Sequence, residues 1–285
     1  MSTADIAISF EVFPPKTDDG LVGLTDVARR LATVDPIFVS VTYGAGGSSR
    51  HRTFDAIDAV RRAGTSVAAH LTCVGQSIDD VVDVMNTYRT LGVDRIVALR
   101  GDPPGGIDDP YRPHPGGFQR TADLVASAAE LFEVAVSAYP ERHPRSPDVD
   151  HDLDVLADKV AAGATSAITQ MCFDGDAVAR YLDAVRARRI DVEIVPGIFP
   201  IHQFAAVARF AAKCGASIPP SVARRFEGLD LDPAATAEVA ADVAAEQIRR
   251  LIDLGVRRFH LYTLNQADLA LAVCERIGVS ERAPA

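Results

Sequence analysis

The chain has 285 residues, which suits one large α/β domain or two small ones, and 48% of its residues are hydrophobic. Its formal net charge of −10 leaves no basic excess to neutralise phosphates, so we expect no nucleic-acid partner. No signal-peptide pattern and no membrane-length apolar run is present, which predicts a cytoplasmic protein with no membrane partner. The four cysteines are widely spaced and are expected to be reduced thiols.

Short β-rich runs alternate with longer segments of helical periodicity along the whole sequence. The helical segments include residues 24–34, 79–91 and 152–163, and the last one ends at Gly163, a suitable helix C-cap. The predicted strands, in chain order, are residues 6–13, 38–42, 66–72, 95–99, 133–138, 166–170, 192–197 and 258–262.

Eight strands that are each followed by a helical segment are the number a (β/α)8 TIM barrel requires. We therefore predict a single α/β barrel domain over residues 1–285. A doubly wound open sheet is the alternative, but it would carry a glycine-rich phosphate loop after the first strand, where this chain has "FPPKT". Residues 217–231 form an extra segment before the eighth strand, and residues 101–117 are the longest irregular stretch.

Side chains at the carboxyl ends of the strands would surround the mouth of such a barrel, where barrel enzymes carry their chemistry. A single polar residue at a strand end is usually only solvated, but several that converge favour a site for an organic ligand. No metal-binding pattern appears, so we expect no metal. The polar residues at the strand ends are Glu11, Thr42, His70, Thr72, Arg100, Asp102, Tyr139, Gln170 and Tyr262.

Glu11 is a carboxylate at the end of a strand that is otherwise apolar. Burial among apolar neighbours should raise its pKa, as a general acid requires. The alternative is a structural ion pair with Lys16 or Arg100. The strand alone does not decide between these two interpretations.

Three further residues have side chains suited to binding a heterocycle. Asp102 could accept a hydrogen bond from a ring N–H, or it could pair with Arg100. The Gln170 amide both donates and accepts, which suits a pterin-like or pyrimidine-like edge, although it could instead cap the end of its strand. Phe204 could stack on an aromatic ring, or it could belong to the core.

Seven ordered motifs resemble those of the bacterial methylenetetrahydrofolate reductases, from about Ile8 to Gly278. The resemblance implies a (β/α)8 barrel that binds FAD and reduces 5,10-methylenetetrahydrofolate to 5-methyltetrahydrofolate with hydride from NADH or NADPH. We expect NADH as the donor, a folate as the substrate and a homo-oligomer. The motifs are "SFEVFPPKT", "FVSVTYGAGGSSR", "AHLTCVG", "IVALRGDPP", "AAGATSAITQ", "VPGIFP" and "FHLYTLNQADLA".

The resemblance also implies roles for individual residues. Glu11 would donate the proton that opens the five-membered ring of the folate, and Asp102 would act in catalysis beside both the flavin and the pterin. Gln170 and Phe204 would contact the folate, as would Glu11 and Asp102. The flavin-contacting positions would be Thr42, His70, Arg100, Gly101, Asp102, Tyr139, His143, Asp152, Lys159 and Ile168.

The chain departs from the family pattern where relatives hold the phosphate and adenosine end of FAD. Val155 replaces an asparagine and Asp158 replaces an arginine, so we expect weakened FAD binding, because an acid repels a phosphate. Arg120 stands where a tyrosine is expected and could supply the missing positive charge. Gln266 stands where arginine is common.

Two alternatives to a flavin-dependent reductase remain open at this point. One is a reductase on the same barrel that passes hydride directly from NADH to the folate. The other is a folate-binding barrel without a redox role, which the presence of Glu11 disfavours because a binder has no need of a positioned acid. The sequence determines neither the choice between NADH and NADPH nor the direction of the reaction.

Overall fold

The structure is a computed structural model that describes residues 6–43, 47–103, 105–106, 109–229 and 231–280, with the side chains of 47–49 excepted. Residues 44–46 of the second motif therefore lie outside the described residues. Nine parallel strands form a single sheet in the order β7-β6-β5-β4-β3-β2-β1-β9-β8. The strands are β1 Ala7–Val12, β2 Val39–Val41, β3 Val67–Thr72, β4 Arg95–Leu99, β5 Glu133–Ala138, β6 Ser166–Thr169, β7 Glu193–Val195, β8 Gly197–Ile198 and β9 Arg258–Tyr262.

The predicted seventh strand is divided into two by Pro196. β7 pairs with β6 through Ile168 and Val195, whereas β8 pairs with β9 through Gly197 and His260. The carbonyl of Pro196 accepts a hydrogen bond from the backbone N–H of His260 at 3.0 Å. The chain thus crosses from one edge of the sheet to the other within one segment, which closes the barrel. The predicted TIM barrel is confirmed, with eight strand positions and one interrupted strand.

Helices lie between the strands and cover the outside of the barrel. Their ends follow local sequence signals: Thr17 caps α1, Ser77 and Asp80 form a capping box on α3, and Gly163 follows α5 with a φ of +113°. The helices are α1 Asp18–Ala32, α2 Gly47–Arg62, α3 Ile78–Thr90, α4 Thr121–Ala129, α5 Val149–Ala161, α6 Gly175–Ala187, α7 Phe204–Lys213, α8 Pro220–Ala223, α9 Pro233–Asp253 and α10 Ala267–Arg276.

The barrel interior changes from apolar to polar along the strand direction. Because side chains alternate across a strand, residues two apart face the same side. Phe38 and Ala68 therefore share the interior with Ser40 and His70, two residues further along β2 and β3. The apolar layer closes the lower part of the barrel and leaves the polar layer at the carboxyl ends. Its buried members are Phe38, Ala68, Val97, Ala135, Ile168 and Val195.

The predicted extra segment before the eighth strand contains α8 and a 3-10 helix at Arg224–Phe226. It joins α7 and α9 in a second apolar cluster beside the barrel mouth, which includes Phe199 and Phe226. Glu141, in the loop after β5, accepts hydrogen bonds from the backbone N–H of Ser217 at 3.0 and 3.1 Å. These hydrogen bonds attach the extra segment to the loop that follows β5. Within the described ranges, no helix combines the length and apolar character needed to cross a membrane.

Candidate active site

A cavity of about 590 Å³ opens at the carboxyl ends of the strands. That volume is typical of a site for a sizeable organic ligand. Every polar residue predicted at a strand end lines it, and so does every position that the resemblance assigned to the flavin. The structure therefore brings together residues from all sides of the barrel, as the pattern predicted.

Glu11 lies in the cavity wall with 23% of its side chain exposed. Its Oε2 atom is 3.4 Å from Nε2 of His70 and 3.7 Å from Nε2 of His260. The suggested ion pair with Lys16 or Arg100 is not formed among the described residues. Two histidines of the barrel interior are the partners of this carboxylate instead.

A buried chain of hydrogen bonds lies directly below Glu11. The Ser9 hydroxyl contacts Nδ1 of His260 at 2.7 Å, and the Ser40 hydroxyl lies 3.4 Å from Nε2 of His260 and 3.2 Å from Nε2 of His70. All four side chains are buried. Sequence analysis missed His260, although a signal existed: it precedes Tyr262 by two residues and so faces the same interior.

The expected direction of the Glu11 pKa is wrong. Burial raises the pKa of this carboxyl, as predicted, but the hydrogen bond with His260 and the electrostatic interactions with His70 and His260 together outweigh burial and lower the pKa. Burial in turn lowers the pKa of His70. The sequence could not reveal this balance because both histidines come from distant strands.

The opposite wall of the cavity holds a buried ammonium group. Nζ of Lys159 donates to the Ser137 carbonyl at 2.6 Å, and burial lowers the pKa of Lys159 to about 8 against the attraction of Asp152. Asp152 accepts from the backbone N–H of His143 at 2.9 Å and from the Ser146 hydroxyl. Lys159 is thus a buried cation that lines a pocket and has no carboxylate within ion-pair distance among the described residues.

Arg100 is a second cation in this wall, and its carbon Cζ lies 4.8 Å from the ring centroid of Tyr111. It forms no ion pair with a described carboxylate. Gly101 has a φ of +80°, and an added Cβ would lie 2.5 Å from a methyl group of Val74. Next to it, the Thr72 hydroxyl is buried without a described hydrogen-bond partner. Unpaired cations and an unsatisfied hydroxyl are what a site for a polar, anionic ligand should present.

Asp102 and Gln170 both line the cavity. Asp102 is exposed, and it forms no ion pair with Arg100 or with any other described cation. Oε1 of Gln170 accepts from the backbone N–H of Met171 at 2.9 Å, so part of the suggested capping role is present. Its Nε2 atom makes no hydrogen bond to a described residue, which leaves a donor for a ligand.

Phe204 is not among the residues that line the cavity, and its expected stacking role stays a prediction. Its ring stacks on Phe226 at 5.6 Å within the second apolar cluster, because it lies at the first turn of α7 on the face toward the extra segment. Phe210, further along α7, lines the cavity and is 47% exposed. Sequence reasoning missed Phe210 because the position of α7 relative to the barrel was unknown.

The departures at the cofactor end occupy two different places. Val155 lines the cavity, whereas Asp158 does not. Asp158 lies 3.5 Å from Arg120, and both side chains are well exposed. Arg120 also pairs with Asp123 at 2.9 Å. Arg120, directly before α4, and Asp158, on α5, therefore lie side by side and outside the cavity wall.

The chemistry available in the cavity is acid–base and electrostatic. Among residues whose positions are described, no group of three or more histidine, cysteine or acidic side chains could hold a metal ion. All four cysteines are free thiols. A carboxylate linked to histidines lies on one side, and cations with unsatisfied donors lie on the other.

Comparisons with known proteins give one consistent family match. The family model described as methylenetetrahydrofolate reductase matches residues 1–278. The chain is 41% identical over 279 residues to the 5,10-methylenetetrahydrofolate reductase of Pectobacterium carotovorum subsp. carotovorum, covering 96% of this chain and 91% of that one. It is 39% identical over 277 residues to the enzyme of that name from Escherichia coli K12, with the same coverage.

One solved structure supports the fold. It is an uncharacterized protein from Clostridium thermocellum, described as binding two copies of 5-methyl-5,6,7,8-tetrahydrofolic acid. The TM-score is 0.64 at 14% identity, and the match covers 95% of this chain and 96% of that one. At that identity the likeness concerns the architecture alone.

Proposed function

The chain belongs to the methylenetetrahydrofolate reductase family, and from that premise we propose that it reduces 5,10-methylenetetrahydrofolate to 5-methyltetrahydrofolate with NADH as the hydride donor and FAD as cofactor. The observation that carries the proposal is the position of Glu11. It is a carboxyl held by two buried histidines in the wall of a cavity large enough for an organic ring system. A carboxyl so placed can exchange a proton with a bound ring system as well as accept a hydrogen bond from it.

Glu11 is the proposed proton donor for opening the five-membered ring of the folate. Its pKa is lowered in the open cavity, so it must gain a proton when the substrate enters. A planar ligand over the carboxyl would cover its remaining exposed surface and strengthen the effect of burial, which raises the pKa.

The residues opposite Glu11 fit FAD. Arg100 and Lys159 supply positive charge without ion-pair partners among the described residues, and the buried Thr72 hydroxyl has no described hydrogen-bond partner. When bound, FAD would carry the hydride between NADH and the folate. Asp102 would then place a negative charge beside the flavin and the pterin.

The folate would lie between the flavin side and the wall built by α7. Gln170 offers Nε2 as a donor to the pterin edge, and Phe210 offers an exposed aromatic face for stacking. We assign to Phe210 the stacking role that the sequence had suggested for Phe204. Phe204 belongs to the second apolar cluster, and Phe210 contacts Phe199 of the same cluster, so both rings lie on that side of the cavity mouth.

We also propose that residues 1–285 act as one catalytic domain in a cytoplasmic homo-oligomer. Side chains from β1 to β9 share the cavity, so no shorter part of the barrel could form it. The acidic net charge and the four free thiols fit a protein of the cytoplasm without a nucleic-acid partner. Light scattering coupled to size-exclusion chromatography measures the number of subunits.

The experiment that tests the reaction uses the protein as purified. Its absorption spectrum should show flavin bands, and NADH should be consumed when 5,10-methylenetetrahydrofolate is added, with NADPH measured in parallel. Turnover without flavin bands, unaffected by added FAD, would replace the proposal with direct hydride transfer from NADH. Binding of the folate without turnover under either nucleotide would leave only a binding function.

A further inference from the structure

The turn after β9 is fastened to the segment after β1 by one side chain. Nδ2 of Asn265 donates to the Phe13 carbonyl at 2.9 Å, and Oδ1 of Asn265 accepts from the Phe13 backbone N–H at 2.9 Å. An amide side chain carries the same donor and acceptor as a peptide group. Asn265 therefore takes the place of a neighbouring strand where the ladder between β1 and β9 ends.

Thr263 extends this attachment to Glu11. Its backbone N–H and its hydroxyl both donate to the Glu11 carbonyl, at 3.2 and 2.7 Å. The same hydroxyl accepts from the backbone N–H of Asn265 at 3.1 Å. The turn at residues 263–265 thus fixes the backbone of both Glu11 and Phe13.

The backbone of the turn is strained. Leu264 has a φ of +50° and Asn265 a φ of +57°, the left-handed region that asparagine tolerates and leucine rarely adopts. Such conformations persist where surrounding contacts hold them, and they are frequent at functional sites. Here the contacts that hold the turn are the hydrogen bonds to Phe13 and Glu11.

The residues that this turn holds form one side of the cavity. Glu11, Phe13 and Leu264 all line it, and Phe13 is 43% exposed although it is a large aromatic residue. The exposed ring and the leucine line the same cavity as the carboxyl, and together they offer an apolar surface to a planar substrate.

We propose that Asn265 is a positioning residue: by clamping Phe13 to the turn after β9 it sets Glu11, Phe13 and Leu264 in the arrangement that receives the folate ring. This inference rests on the proposed function. It makes a separate claim, however, because the residues proposed to contact FAD lie mainly on β3 to β6 and their loops, away from the β1–β9 seam.

Three variants test the clamp. Asn265→Ala removes both hydrogen bonds, and Asn265→Gly removes them while tolerating the positive φ, so a folding defect caused by backbone strain is avoided. Asn265→Asp keeps the acceptor for the Phe13 N–H but loses the donor. The matched control is Arg189→Gly, at an exposed residue with a φ of +55° after α6, outside the cavity wall.

The measurements separate folate handling from FAD binding. Misplacing the reacting groups by about 1 Å costs on the order of 100-fold, so we expect kcat/KM for 5,10-methylenetetrahydrofolate to fall roughly 10- to 100-fold in the alanine and glycine variants and less in the aspartate variant. Calorimetry should show weaker binding of 5-methyltetrahydrofolate. FAD affinity should be unchanged in all three, and the control should match the wild type throughout.

Each outcome decides the matter. Unchanged folate binding and unchanged kcat/KM in Asn265→Gly would overturn the clamp. Equal losses of FAD affinity and folate affinity would also overturn it, because they would show a general structural defect. If the wild type binds 5-methyltetrahydrofolate but turns nothing over, the proposed reaction fails, and the clamp is then judged by the calorimetric difference alone. A wild type that neither binds the folate nor turns it over overturns both proposals.

Discussion

Replacing Lys159 with methionine should change the stability of the protein in a way that depends on pH. The ammonium of Lys159 lies in the cavity wall with only 4% of the residue exposed, and burial lowers its pKa from 10.5 to about 8. Below the lower of these values, the lysine is charged in both the folded and the unfolded chain, and the full cost of burying the charge is present. Methionine fills a similar volume without that charge.

The size of the effect follows from the two pKa values of Lys159. Between them the unfolded chain binds more protons than the folded one, so the free energy of unfolding of the wild type rises with pH. The whole difference corresponds to about 3 kcal/mol, most of which should be regained between roughly pH 7 and pH 10. Lys159→Met lacks this contribution and serves as the reference.

The assay is urea unfolding of both proteins without FAD at a series of pH values over that range. The free energy of unfolding of the variant minus that of the wild type should decrease as pH rises, whatever the cost of losing the bond to Ser137. A difference that stays constant would refute the argument that Lys159 is buried as a charge. FAD titration near pH 7 should show weaker binding by the variant, because a cation in the wall is lost.

Four further substitutions probe the cavity wall and its surroundings. Asp102→Asn should raise the flavin reduction potential and lower folate turnover without unfolding the barrel, because a negative charge is removed; an unchanged potential with unchanged kinetics in a redox titration would contradict it. Asp158→Arg should cost less than about 1 kcal/mol of stability, since its pair with Arg120 is exposed, and should tighten FAD binding about 10-fold at matched salt. Equal FAD affinities of Asp158→Arg and the wild type would mean that the phosphates of FAD lie elsewhere. Phe210→Ala should raise the KM for folate by roughly 10-fold through lost stacking, whereas Phe204→Ala should lower stability and leave KM unchanged.

The barrel could be predicted from the sequence because each strand and helix carries its own periodic signal. The same reasoning found most of the cavity wall, since a parallel barrel gathers every strand's carboxyl end at one mouth. Glu11 was recognisable as a carboxylate in an apolar strand, and the structure places it in the cavity wall. These features depend on local pattern and on topology alone.

What could not be predicted depends on contacts between distant segments. The partners of Glu11 are two histidines from β3 and β9, and the hydrogen bond with His260 and the electrostatic interactions with both reverse the pKa direction that burial alone suggested. That Phe210 lines the cavity and Phe204 does not depends on which face of α7 meets the extra segment. The division of the seventh strand at Pro196 depends on where the barrel closes.

The most direct test of the account is Glu11→Gln in rapid-mixing experiments that follow the bound flavin and the folate separately. The account predicts that NADH still reduces the flavin, while reduction of 5,10-methylenetetrahydrofolate falls at least about 100-fold because the proton donor is gone. Glutamine keeps the shape and polarity of the side chain, so the cavity should remain intact. Folate reduction at a near-normal rate in this variant would remove Glu11 from the mechanism and contradict the account.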